Sequence, residues 1–83
     1  MNIQVRYFAS IREALGQSAE VLETTASDVT GLLTELRARG GVYAEVLAVG
    51  RPVRVAVNQV MATPSTPLPA GAEVGFFPPV TGG

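Results

Sequence analysis

The sequence predicts an α+β fold, a sheet with one helix packed on one face, and three observations predict it. Stretches near the start, at 53–57 and near the end alternate apolar and polar residues with the period of a strand. One segment, 29–36, repeats apolar residues at helical spacing. The two kinds follow one another as strand, strand, helix, strands rather than in strict alternation, and one amphipathic helix has no core until a sheet lies beneath it. Eighty-three residues leave room for a single core. With 47% apolar and 16% charged residues, nine glycines and six prolines, the composition is that of a folding chain.

From Asn2 to Ala9, residues Ile3, Val5, Tyr7 and Ala9 fall on one side and Gln4, Arg6 and Phe8 on the other, an opening strand with one buried face. Ser10-Ile11-Arg12-Glu13 fits a capping box for a short helix that Gly16 stops. Ala19 to Thr25 reads as a second strand whose inward face is ambiguous, because Val21 and Leu22 are adjacent between Glu20 and Glu23. Ser27 as N-cap and Asp28 as a first-turn charge start the main helix, with Val29, Leu32, Leu33 and Leu36 as its core stripe. Arg37 and Arg39 lie near its negative end and Gly40-Gly41 break it, while Gly31 inside costs about 1 kcal/mol against Ala. Val42 to Val49 is apolar without a clean period and reads as a short helix or an irregular packed segment. Val53, Val55 and Val57 pattern a third strand, Asn58-Gln59 a tight turn, and Val60-Met61-Ala62 a short fourth strand. Pro64, Pro67 and Pro69 make 63–71 a loop before a last strand, Ala72 to Phe77, with Val74 and Phe76 in phase. The result is a sheet of about five strands. If its first and last strands lie side by side at the centre it is a β-grasp, a pairing that periodicity alone leaves open.

The chemistry open to such a chain is bounded by what it lacks. It has no cysteine and no histidine, and all six basic residues are arginine. There is therefore no thiolate or imidazole metal site, no disulfide, no Cys-His or Ser-His pair, no Schiff-base lysine and no phosphate-loop lysine. A net charge of −1 lacks the basic excess of a phosphate-backbone binder, so no nucleic-acid partner is expected. No apolar run approaches the ~20 residues of a membrane span, and Met1 to Gln4 does not begin a signal peptide, so the expectation is a cytoplasmic protein, complete as written, without a membrane partner.

The ending VGFFPPVTGG, Val74 to Gly83, carries no charged side chain and closes on two glycines. A frayed terminus is the ordinary reading of a chain end. Here Pro78-Pro79 favour an extended course directly after the strand, so the last six residues project by up to roughly 20 Å. Gly82 and Gly83 place no β-carbon beside the terminal carboxylate, which suits a narrow channel and leaves the carbonyl open to attack. A carboxylate with a pKa of about 3.5 is a poor electrophile, so a reaction at this end requires activation, most naturally as an acyl-adenylate made by a separate ATP-using enzyme.

The chain resembles the small subunit of molybdopterin synthase, a ubiquitin-like sulfur carrier. The resemblance runs through NIQVRYFASIREALG at the start, RVAVNQ from Arg54 to Gln59, PLPAGAEVGFF from Pro67 to Phe77, and the FFPP-VTGG ending. It implies a β-grasp domain over 1–77 and a flexible tail over 78–83. Gly83, next to Gly82, would become an acyl-adenylate and then a thiocarboxylate, and its sulfur would go to a cyclic pyranopterin precursor of the molybdenum cofactor. The implied partners are a large synthase subunit that takes up the tail and forms a heterotetramer, an adenylating enzyme and a sulfurtransferase donor. No stably bound cofactor is implied, and ATP would be used by the activating partner. The chain would not be an enzyme on its own, in keeping with its lack of catalytic side chains. Pro69 and Ala70 depart from the family, which more often places Asp or another polar residue in that turn.

Phe8 and Phe77 are out of phase with their strands' core residues, so both should lie on the sheet face away from the helix, as a docking patch that Met61 could join. Coverage of one of them by residues 42–49 is the alternative. With Pro78, Pro79, Val80 and Thr81 they make up the expected partner-binding set. Arg6 and Arg54 point outward and read as solvated charges, Glu13 as a cap. Competing functions are a sulfur carrier for thiamine thiazole synthesis or transfer RNA thiolation, a protein modifier, and a ubiquitin-like binding module with an idle end.

Overall fold

A computed structural model describes residues 1–79. Its elements are β1 Asn2–Tyr7, α1 Ala9–Leu15, β2 Ala19–Glu23, α2 Val29–Arg37, α3 Gly41–Val46, β3 Arg54–Val57, β4 Val60–Met61 and β5 Glu73–Phe77. The strands form one sheet in the order β2-β1-β5-β3-β4. β1 and β5 run parallel at its centre, Val5 opposite Val74 and Tyr7 opposite Phe76, while the other neighbours are antiparallel. The first and last strands thus pair as a β-grasp requires.

The period-two pattern of β1 has the expected effect, since Ile3, Val5 and Tyr7 are buried and Gln4, Arg6 and Phe8 are exposed. Val74 and Phe76 of β5 and Val55 and Val57 of β3 extend the same layer, onto which Val29, Leu32 and Leu36 of α2 pack. Leu33 is only half-buried at the edge of that stripe. In β2 the register settles the ambiguous face: Leu22 opposes Ile3 and is buried, and Val21 opposes Gln4 and stays exposed. Residues 42–49 include a helix, α3, whose Val46 joins the core together with Leu47 just beyond it. Asn58 and Gln59, with φ of 50° and 68°, form the tight turn between β3 and β4, a conformation that Asn tolerates better than most residues.

Two helix starts differ from expectation. The capping box at Ser10 and Glu13 does not form, because α1 begins at Ala9 with Phe8 as its N-cap and no side-chain cap bond. The Phe8 amide donates to the Phe76 carbonyl at 3.0 Å, and the Phe8 carbonyl accepts from the amides of Ile11 and Arg12. Strand ladder and helix therefore meet at one residue, leaving Ser10 inside the helix and Ala9 exposed with φ of 51° instead of on the buried side of β1. At α2 the cap is Asp28, not Ser27. The Asp28 carboxylate accepts from the Gly31 amide at 2.8 Å, while the Ser27 carbonyl accepts from the Leu68 amide.

The proline loop completes that helix start. Its Thr66 and Pro64 carbonyls accept from the Val29 and Thr30 amides, so with Asp28 the first turn's otherwise unpaired donors are satisfied. Leu68 is buried and anchors the loop. At Gly31 a β-carbon would meet Ala26 Cβ and Asp28 Oδ1, both at 3.2 Å, so this glycine serves close packing as well as lowering helix propensity. The turn that holds Pro69 and Ala70 closes with the Ala72 amide donating to the Pro69 carbonyl, Gly71 taking the left-handed conformation.

A polar cluster ties α3 to the sheet. The Glu20 carboxylate accepts from Tyr7 (2.8 Å), Gln17 (2.9 Å) and Tyr43 (3.2 Å) and pairs with Arg39 at 3.0 Å, and the Arg39 guanidinium lies over the Tyr43 ring. Burial first, then the hydrogen bond to Glu20, pushes the Tyr7 phenol well above its ordinary pKa. Among the described residues, no helix is long and apolar enough to cross a membrane.

Candidate functional site

On the sheet face opposite α2, strand parity brings together residues from three elements. Phe8 follows β1, Gly75 and Phe77 come from β5, and Ala56 comes from β3, opposite Gly75 in register. Phe8 and Phe77 meet edge to face, with ring centroids 6.3 Å apart and planes at 81°. Phe8 keeps 43% of its surface in solvent, and Phe77 is half-buried. Beside the rings lies an open trough of about 400 Å³ lined by Phe8, Ala56, Gln59, Glu73, Gly75 and Phe77.

Residues 42–49 do not cover these aromatics, since α3 packs against α1 and α2. Met61 opposes Ala56 in register, which assigns it to the trough face, and it is 55% exposed. It also borders a crevice of about 150 Å³ at the sheet edge with Leu33 and Pro64. Arg6 is not solely a solvated charge, because its Nε lies 3.4 Å from a carboxylate oxygen of Glu73. Arg54 is exposed.

Pro78 and Pro79 continue from β5 and are half-buried. They line a cavity of about 540 Å³ together with Ile11 and Ala14 of α1, Val46 of α3 and Pro52. The remaining expected site residues, Val80, Thr81, Gly82 and Gly83, lie outside the described residues. Gly75, Ala56, Gln59 and Glu73 were not singled out from the sequence. Gly75 and Ala56 carried a usable signal, being small residues at outward positions of two strands beside outward aromatics. That signal becomes specific only when β3 and β5 are known to be neighbours.

A sheet with parallel first and last strands at its centre, one face closed by helices and an apolar patch on the other, defines a ubiquitin-like β-grasp protein. Consistent with that class, the small archaeal modifier protein 1 from Methanosarcina acetivorans superposes with a TM-score of 0.77 over 99% of this chain and 96% of its own, at 23% identity, a likeness of fold alone. The chain belongs to the ThiS family, which it matches over residues 5–83. The molybdopterin synthase sulfur carrier subunit of Escherichia coli (strain K12) is 38% identical over 81 residues, spanning 98% of this chain and 99% of the relative. The solved complex of subunits 1 and 2 of the molybdopterin-converting factor from Helicobacter pylori 26695 contains a chain that matches with a TM-score of 0.69 and 26% identity, covering all of both chains.

Proposed function

We propose that this chain is the sulfur carrier subunit of a molybdopterin synthase, donating sulfur from its own C-terminus. The observation that carries the reading is the 38% identity to a relative of that name over 98% of the chain, in a family match that runs through Gly83. The Gly83 carboxylate attacks the α-phosphorus of ATP in an activating enzyme and pyrophosphate leaves, giving an acyl-adenylate. The terminal sulfur of a sulfurtransferase persulfide then displaces AMP to give an acyl disulfide, and a thiol reductant cleaves its S–S bond, leaving Gly83 as a thiocarboxylate and the two thiol sulfurs joined as a disulfide. Donation of that sulfur to a cyclic pyranopterin precursor, with water completing the carbonyl, returns the carboxylate.

In this reading the chain supplies no acid, base or metal ligand. The catalytic groups belong to the large subunit, and ATP is consumed on the activating partner, with no cofactor bound stably here. Gly82 and Gly83 admit the end to a narrow channel, and Pro78 to Thr81 lie along its entrance. Phe8, Phe77 and Met61 dock the body of the domain. Their partly exposed apolar surface supports that role, since a contiguous patch of this kind marks a protein-binding face. Two such chains on a dimer of large subunits make the heterotetramer, and the assembly works in the cytoplasm.

The test is the intact mass after incubation with ATP, an adenylating partner and a sulfurtransferase with its sulfur source, beside a variant lacking Gly83. The expected outcome is a gain equal to replacing one oxygen by sulfur, absent from the truncated chain. No gain with partners that are active on another carrier would overturn the proposal.

A further inference from the structure

Gly75 is buried from the outer face by the ring of Phe8: a β-carbon at this position would lie 3.1 Å from Phe8 Cε2. Its register partner on β3, Ala56, carries only a methyl group, so the two adjacent strands offer a low floor between the walls formed by Phe8, Phe77 and Gln59. A larger residue at either position would raise that floor, and at Gly75 it would also displace Phe8. The rim carries one carboxylate, Glu73, which already has Arg6 as a counter-ion within the chain. An occupant therefore has no unpaired charge to meet in the trough, and the lining is almost wholly apolar.

We infer that the trough floored by Gly75 and Ala56 receives a large apolar side chain of the larger synthase subunit, and that these two small residues set the size of side chain it admits. The inference rests on the function proposed above, and the complex of a relative's subunits 1 and 2 supports a partner of that kind. A side chain inserted there contacts both rings and loses most of its hydrated surface, the situation in which single residues dominate an interface. Phe8 then acts as a wall whose position Gly75 permits, and not only as an exposed anchor.

The experiment is a calorimetric titration of the large subunit with the full chain in four forms: wild type, Ala56→Leu, Gly75→Val, and Val21→Ala. Val21 is exposed on the same sheet face, but on β2, across β1 from the trough. The expected result is binding at least tenfold weaker for Ala56→Leu and Gly75→Val and unchanged for Val21→Ala, with Ala56→Leu melting near wild type. Should Gly75→Val fail to fold, Ala56→Leu carries the test, because it fills the trough without replacing the glycine beneath Phe8. Wild-type affinity in both filled variants would overturn the trough and leave the function standing. No binding by the wild type itself would overturn the proposed function. A wild-type dimer that Ala56→Leu dissociates would give the trough to a second copy of this chain and overturn the inference as well.

Discussion

On the helix side of the sheet Ile3, Val5, Tyr7, Val74 and Phe76 keep at most 1% of their surface in solvent, whereas on the opposite side Phe8 and Met61 keep 43% and 55%. The two faces draw on the same strands and on similar apolar side chains. They differ in what covers them. α2 and the buried Leu68 of the proline loop close the first, and no element of residues 1–79 crosses the second. Burial on the first face stabilises the fold, while apolar surface held back on the second is available for association. A domain of this size can maintain both because its helices lie on one side of its sheet.

That comparison breaks most visibly through the core. Leu32 is fully buried, and Leu32→Ala is expected to cost about 3 kcal/mol, the transfer loss plus the cavity left under α2, read as a lower midpoint in urea unfolding. Phe8→Ala should instead lower affinity for the large subunit by roughly tenfold or more while costing under about 1 kcal/mol of stability, checked by titration and unfolding on the same samples. Equal losses of stability in the two variants would erase the distinction between the faces. Asp28→Ala should cost about 1 kcal/mol through the lost cap on α2 and leave partner affinity unchanged.

The smallest effect concerns Tyr7, whose ring belongs to the covered face and whose hydroxyl reaches Glu20. Its pKa is raised by folding, so the unfolded phenol ionises first, at about pH 10. The folded state then holds the extra proton, and the stability present below pH 10 is lost as pH rises through the interval between the unfolded and folded values. Unfolding measured between about pH 9 and 11 should fall less steeply in Tyr7→Phe than in the wild type. Identical slopes would mean that Tyr7 does not couple folding to alkaline pH.

The sequence by itself determined the strand faces of β1, β3 and β5, the apolar stripe of α2, the turn at Asn58-Gln59 and the absence of any thiol, imidazole or lysine amine among the side chains. These depend on periods of two and 3.6, on local backbone preferences and on which functional groups exist, all of which short stretches of chain express. Only the tertiary structure decided matters that depend on residues far apart in the chain. Ser10 lost its cap because Phe8 was engaged by Phe76, and Asp28 displaced Ser27 because Leu68 took the Ser27 carbonyl. Val21 and Leu22 were assigned faces only by pairing with β1, and only packing against α1 and α2 put the helical part of residues 42–49, within α3, on the covered side. The trough required β3 beside β5, which brought Ala56 against Gly75 and gave Phe8 a place to lie. Such contacts arise from the packing of the whole sheet, so no window along the sequence contains them.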